Sequence, residues 1–364
     1  MILERLSILN YKNISQAELL FSPGINCFIG SNGEGKTNII DAIYFLSFTK
    51  SSTNSVDSMN IRHGEDYMML KGEYDIEGKK EAVSCGIKAH QKKQFRRGDK
   101  PYKRMSEHIG LLPLILVSPN DQELIIGGSE NRRRFIDSVI SQYNPLYLSY
   151  LQKYNKALQQ RNILLRQEDN LSSELLDAYE DIMADTGEWI YNERKNFIRV
   201  FTPVFQDYYQ KIASSKELVG LEYKSHCDRG PLLETIRKDR HKDFAVGYSL
   251  HGIHKDDIVM TQNSFPIKKE ASQGQSKTYL ISLKLSQFNF LKQTGSHTNP
   301  LLLLDDIFDK LDADRVSSII ELVSAENFGQ IFITDTNREN LERIIKRVKG
   351  DHKIFKVKGG EISI

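Results

Sequence analysis

Cysteine is scarce in this chain. Three residues, Cys27, Cys85 and Cys227, are spread over 364 positions. No two form a Cys-x-x-Cys pair, and the odd count argues against a disulfide framework. A reducing cytoplasm is the simplest setting. Long apolar runs are missing as well. LLPLILV (111–117) and LLLL (301–304) fall far short of the roughly 20 residues that cross a bilayer. The opening MILERLSILNYK carries Glu4 and Arg5 and lacks the apolar core of a signal peptide. We therefore expect a cytoplasmic protein with no membrane association. An excess of one charge is lacking too: 50 Lys and Arg stand against 48 Asp and Glu, a net +2. No global field points to a partner, so any nucleic-acid surface has to be local. His251, His254, Asp256 and Asp257 are close in sequence, but no wider acid–histidine cluster of the nuclease kind accompanies them. Hydrogen bonding near a sheet is the simpler reading. What the chain does have is length for a full core and for two or three domains.

Residues 30 to 37 read GSNGEGKT, a match to G-x-x-x-x-G-K-[ST]. The match carries weight only if a strand precedes it and a helix follows. GINCFI (24–29) is a short β-type run, and TNIIDAIYFLSF (37–48) has apolar residues at helical spacing. Gly30, Gly33 and Gly35 let the backbone bend close to phosphate oxygens, with Ser31, Asn32 and Glu34 between them. The loop amides and the helix N-terminus then face an anion. Lys36 reaches the β- and γ-phosphates of a nucleotide and Thr37 ligates Mg²⁺. A second carboxylate for the metal is expected in NPLLLLDDIFDKLD (299–312). Four leucines make a buried parallel-type strand, and the acids emerge at its carboxyl end, where such sheets bind ligands. Asp305 is the metal partner; Asp306 is placed to orient or deprotonate a water. The bland reading, that one acid is merely a helix N-cap, fits Asp309 or Asp312 better than the adjacent pair.

Some 268 positions separate Lys36 from Leu304, too many for a small kinase or GTPase. A large insertion lies between the two halves of one nucleotide-binding fold. Shortly before the carboxylate strand stands KKEASQGQSKT (268–278), in which Ser272, Gly274 and Gln275 open an apparent helix and make another anion site. A P-loop, SQGQ, a two-acid strand and DKLD together resemble the ABC-type ATPase head of the SMC kind. LSILNYKNI (6–14), VSPNDQELIIGGSENRRRFID (117–137) and GIHKDDI (252–258) narrow the resemblance to the RecF family, from Met1 to about Ile333. It implies an α/β fold, an ABC-type (SMC-like) P-loop ATPase head with an inserted, mainly helical arm domain. It also implies ATP and Mg²⁺ as cofactors, slow hydrolysis as a timer, and Asn13 among the nucleotide contacts. Two heads would close on ATP as a homodimer, each signature capping the γ-phosphate held by its partner. Duplex DNA beside single-stranded gaps, including single/double-strand junctions, would be the substrate. RecR would be a partner, with roles in recombinase loading, replication restart and SOS induction. The chain departs from the family in several places. Ile253 and Lys255 replace proline and arginine, Asp309 replaces serine, and QIFITDTN (330–337) has Thr334 and Asp335 where a switch histidine is common. Gln122, Asp121 and Asn120 are alternatives for the γ-phosphate sensor. A transporter subunit, the rival reading, lacks a long helical insert here and usually has the switch histidine.

Three segments follow: 1–125 as the N-terminal lobe, 126–239 as the helical arm, 240–364 as the C-terminal lobe. In the arm, Leu151, Tyr154, Leu158 and Leu165 form one stripe. Leu175, Tyr179, Ile182, Thr186, Trp189, Glu193, Phe197 and Val200 form another, with a turn at EDNLSS (168–173). The spacing predicts an antiparallel hairpin of helices about 20–28 residues long. Residues 79–104 hold ten Lys and Arg against two acids, with Phe95 and Tyr102 among them. We expect a β-hairpin there in which Lys92, Lys93, Arg96 and Arg97 contact phosphates; a solvated loop is the bland alternative. Arg132, Arg133 and Arg134 point different ways around a helix, so at least one should be ion-paired internally.

Overall fold

The computed structural model describes residues 1–167, 173–213, 217–295, 299–307, 313–325, 328–336 and 351–364. The chain divides into two compact units. One comprises Met1–Asp121, Tyr208–Ser215 and Lys277–Ile364, the other Gln122–Asp207 and Lys216–Ser276.

The first unit is built on two sheets. Strands β1 (Ile2–Tyr11), β2 (Ile14–Leu20), β4 (Tyr67–Ile76), β5 (Lys79–Lys88), β6 (Gln94–Arg97) and β7 (Lys100–Pro101) form an antiparallel sheet in the order β2-β1-β4-β5-β6-β7. Their sequences alternate. Met68, Leu70 and Tyr74 on β4, and Val83, Cys85 and Ile87 on β5, are buried, while their neighbours face outward, the period-2 signature of a one-sided sheet. The second sheet, order β15-β14-β3-β13-β12-β8, is mainly parallel. It contains β3 (Ile25–Ile29), β8 (Leu114–Val117), β12 (Leu301–Asp305), β13 (Ile331–Asp335), β14 (His352–Lys358) and β15 (Glu361–Ser363). All five residues of β12 are buried, as the leucine run requires. The helix Lys36–Phe48 contacts both sheets, which is why Ile39, Ile40, Ile43, Phe45 and Leu46 are buried all round it.

The second unit contains helices Ser129–Tyr143 and Pro145–Leu164, the helix Ser173–Ala213 as far as Asp207, and a small sheet. That sheet joins β9 (Val219–Lys224), β10 (Asp257–Gln262) and β11 (Phe265–Pro266) in the order β11-β10-β9. Asn144 caps the second helix by accepting from the Tyr147 amide, with Pro145 in its first turn, where a missing N–H does no harm. The long helix runs 41 residues and carries Pro203 inside it, well beyond the length expected from sequence. Its buried stripe is also displaced by one position. Leu175 is 50% exposed, and Ile182 and Val200 are each 42% exposed. Thr186 and Phe197 of the expected stripe are buried, and the other buried positions are Leu176, Glu180, Met183, Ile190, Arg194 and Phe201. Two of these are charged, and so the apolar count missed them. Arg161, also fully buried, donates to Glu180 Oε1 (2.8 and 3.0 Å) and to Asp243 Oδ2 at 2.7 Å. Arg194 pairs with Asp137 at 2.9 Å and with Asp256 at 3.2 Å. These ions are buried because each guanidinium meets its carboxylates directly. Most of the expected turn, 168–172, lies outside the described residues. No helix of the described residues is long and apolar enough to cross a membrane.

Candidate nucleotide site and basic sheet

Strand β3 ends at Ile29 and the next helix begins at Lys36, so the glycine-rich octet forms the intervening loop and first turn. Gly33 and Gly35 adopt φ of +83° and +112°, a region open to glycine. A Cβ on Gly35 would also stand 2.7 Å from the Asn13 side chain. Asn13 is woven into the loop: its Nδ2 donates to the Glu34 carbonyl at 3.1 Å, and its Oδ1 accepts from Asn38 at 2.7 Å. Lys36 is buried and folds back over the loop, with Nζ donating to the carbonyls of Gly30 (2.7 Å) and Ser31 (2.9 Å).

The second motif arrives from the far end of the chain. Thr37 Oγ1 donates to Asp305 Oδ1 at 3.1 Å, and Thr334 Oγ1 donates to the same oxygen at 2.7 Å. Strand β13 sits between β3 and β12 and pairs Thr334 with both Phe28 and Asp305, so the sheet register brings these groups together. Burial pushes the Asp305 carboxyl above its usual range, against hydrogen bonds from Thr334 and Thr37 that pull it down. Asp306 has φ +50°, uncommon for a residue with a side chain. Its amide donates to Thr334 Oγ1 at 2.9 Å.

Two supports were not evident from sequence. The turn between β14 and β15 grips the loop: Gly359 N donates to the Glu34 carboxylate, and Gly360 N to the Glu34 carbonyl at 2.9 Å. Asp41, inside the loop's helix, accepts from Tyr11 (2.6 Å), Lys12, Ser51 (2.6 Å) and the Ser52 amide (2.6 Å). Burial raises the Asp41 carboxyl, but Lys12 and these donors outweigh it and the net shift is downward. Asp121 accepts from the Ser118 amide and from Lys284, both at 2.8 Å, whereas Asn120 and Gln122 are exposed.

Ser272 and Gln275 form a reciprocal cap. The Gln275 amide donates to Ser272 Oγ at 3.2 Å and the Ser272 amide to Gln275 Oε1 at 2.8 Å, an arrangement known as a capping box. Gln275 Nε2 also donates to Glu217 at 2.7 Å. Ser272 is exposed, and Gly274 lies in the first turn of helix Gln273–Thr294. These residues belong to the second unit and the P-loop to the first. Asp309 and Asp312 lie outside the described residues.

The basic segment forms β5, β6, β7 and their turns, and it divides the four expected phosphate contacts. Lys92 and Arg96 are exposed, and among the described residues neither forms an ion pair. Lys93 is mostly buried instead. It donates to the Thr49 carbonyl at 2.6 Å, meets Asp57 at 3.0 Å and stands over the Phe45 ring. Arg97 forms a two-point pair with Glu81 at 2.6 and 2.9 Å. Strand alternation places adjacent side chains on opposite faces, so Arg96 lies on the outer face, whereas Arg97 lies on the face of Phe95, half-exposed against Glu81. Phe95 is buried against His108 at 4.8 Å, so it is core and not an exposed stacking ring. The Arg132–Arg134 cluster is internally bonded throughout: Arg132 to Asp257 (2.7 Å), Arg133 to the Asp256 carbonyl (2.7 Å), Arg134 to Glu130. His254 bonds Tyr154 at 2.7 Å and the Ser249 carbonyl at 3.0 Å, and His251 meets Asp239 at 2.8 Å.

The chain is similar to known proteins along its whole length. Residues 2–361 match the family model described as RecF/RecN/SMC N terminal domain. The DNA replication and repair protein RecF of Phocaeicola vulgatus is 56% identical over 364 residues, covering 100% of this chain and 98% of that one. RecF of Porphyromonas gingivalis is 48% identical, covering 100% of both. A solved structure described as the recombination mediator protein RecF-ATP in the RecFOR pathway superposes with a TM-score of 0.88 at 26% identity, covering 99% of this chain and 98% of that chain. An SMC head bound to a winged-helix domain of ScpA shares the fold, with a TM-score of 0.60 at 16% identity over 100% and 96% of the two chains.

Proposed function

We propose, for a chain that belongs to the RecF family of SMC-type ATPase heads and thus to DNA replication and repair, that ATP binding at the P-loop gates its hold on DNA. The supporting observation is the convergence of Thr37 and Asp305 on one hydrogen bond, 268 positions apart, beside a lysine already folded over the loop. A hydroxyl and a carboxylate meeting at one point are the oxygen donors a hard cation takes, so the pair fits Mg²⁺, which would supply charge neutralisation at the phosphates. The residues of this chain do the rest. Loop amides and Lys36 hold the phosphates, Asn13 keeps the loop open for them, and Asp306 orients or deprotonates the attacking water. Ser272, Gly274 and Gln275 reach a nucleotide held by a second copy, so closure makes a homodimer and slow hydrolysis reopens it. Lys92 and Arg96 contact duplex phosphates near single-stranded gaps. On this reading the protein acts in the cytoplasm with RecR, helping recombinase loading, replication restart and SOS induction. Residues 126–239 form the arm between lobes 1–125 and 240–364.

The test is Lys36→Met in a protein whose solution mass and DNA binding are followed with and without ATP. The expected result is loss of ATP-stimulated DNA binding and of the ATP-dependent dimer. A folded variant that keeps both overturns the proposal.

A further inference from the structure

The outer face of the antiparallel sheet carries an unusual surface at the end away from Glu18. Tyr67 is 49% exposed and Met69 43%, on the face opposite the buried Met68 and Leu70. The half-buried Leu9 pairs with Met69 from β1. Gly86 is the cross-strand partner of Met69 on β5, and a Cβ there would meet nothing within 4 Å. The result is a low apolar floor with one phenol ring beside it. Cations border it. Lys88 is directly opposite Tyr67, and Arg96 follows one strand beyond Ser84. Both are exposed, and neither forms an ion pair among the described residues. The strand acids of this face, Glu18, Glu73 and Asp75, are further along it and are already met by Arg5 (2.8 and 3.7 Å), by Lys71 for Glu73 (2.7 Å) and by Lys80 for Asp75 (2.9 Å).

We propose that the outer sheet face around Tyr67, Met69 and Gly86 is a platform for an unpaired DNA strand, with one base stacked on Tyr67 and its flanking phosphates on Lys88 and Arg96. This rests on the DNA-binding reading above and deepens it by separating two modes of contact, in which Arg96 is shared and Tyr67 serves the unpaired strand alone. Cations alone hold a duplex, whose bases offer their faces only to each other. An exposed ring on a bare sheet gains most from an unstacked base. Charge complementarity favours a polyanion here over an apolar peptide, because Lys88 and Arg96 bracket the apolar floor and the strand acids of this face are already paired with cations.

The experiment compares oligo-dT, blunt duplex and gapped duplex in anisotropy titrations with ATP, using the parent, Tyr67→Ala, Tyr67→Phe and Gly86→Leu. Tyr67→Ala should weaken dT binding by roughly 5- to 150-fold, the worth of one base–aromatic stack. Duplex affinity and ATP binding should not change. Tyr67→Phe should retain dT binding, because the ring and not the hydroxyl stacks, and Gly86→Leu should lose it by occupying the floor. Both positions of this test, Tyr67 and Gly86, are exposed or open, so folding is expected to survive, and circular dichroism verifies it. Equal dT affinity in the parent and a folded Tyr67→Ala overturns the platform. So does a parent that binds duplex but not dT, or a Tyr67→Ala defect confined to self-association. A parent that binds no DNA of any form removes the proposed function instead.

Discussion

Reversing the charge of Lys92 and Arg96 together should affect DNA and leave the fold intact, whereas reversing Lys93 and Arg97 should do the opposite. The prediction follows from where each side chain ends. Lys92 and Arg96 are exposed and lack ion-pair partners among the described residues, so they are available to phosphates. Each duplex phosphate contact contributes about 0.9 to the slope of log affinity against log salt. The Lys92→Glu/Arg96→Glu protein should lose up to about 1.8 from that slope. Lys93 is the clamp between the Thr49 carbonyl and Asp57. A glutamate there sets a carboxylate against both, a cost of about 1–3 kcal/mol in stability. Arg97 faces Glu81 at a half-exposed site, where loss of the pair costs about 0.2–1 kcal/mol. Anisotropy with labelled duplex between about 50 and 200 mM salt, together with urea melts, separates the two effects. A parental salt slope in the first variant, with a reduced slope in a stably folded second, refutes the assignment of roles.

Asp306→Asn should slow hydrolysis severely while keeping ATP binding, because Asp305 and its bonds to Thr37 and Thr334 stay in place; parental turnover in a phosphate-release assay counts against the role. Ser272→Arg should leave ATP binding by the single chain near normal and eliminate the ATP-dependent dimer, read by light scattering. A dimer of undiminished mass would disprove capping in trans. His108 and His254 are held down to about 4 from 6.5 by burial. Below 6.5 the unfolded chain takes up protons that the folded sites refuse, so stability is full above 6.5 and falls as pH drops towards 4. At pH 5 each histidine should account for about 2 kcal/mol of that fall. His108→Gln should flatten the limb in urea melts across this range, and an unchanged limb argues that His108 titrates normally.

The sequence carried the nucleotide site well because its parts are local. GSNGEGKT, the strand before it and the helix after it are contiguous, and LLLLDD announces a buried strand ending in acids. Thr334 and Gly359-Gly360 were not legible in the same way. Their contacts with Asp305 and Glu34 exist only through the strand order β14-β3-β13-β12, and no short-range pattern encodes that order. The long helix failed differently. Glu180 and Arg194 occupy its buried stripe, so counting apolar residues selected Leu175, Ile182 and Val200, one position away. The basic segment was legible as a charge run, but its partition was not drawn. Period-2 alternation in SCGIK and QFRR was enough to separate Arg96 from Arg97, whereas the inward path of Lys93 depends on Asp57 and Thr49 in distant chain.

The order of strands in the parallel sheet has a consequence for synthesis. Strand β3, which leads into the P-loop, has β13 and β14 as its two neighbours. It is made within the first 29 residues, and they are made after residue 330. At translation rates of roughly 5–20 residues per second, β3 waits about 15 to 60 s for its partners. Through that interval its apolar run, INCFI, has neither edge paired, the condition in which nascent chains aggregate. The motif that appears first in the chain is therefore among the last to be assembled. A chain ended between Thr37 and β13 carries a complete P-loop sequence with neither neighbouring strand of β3 to hold it.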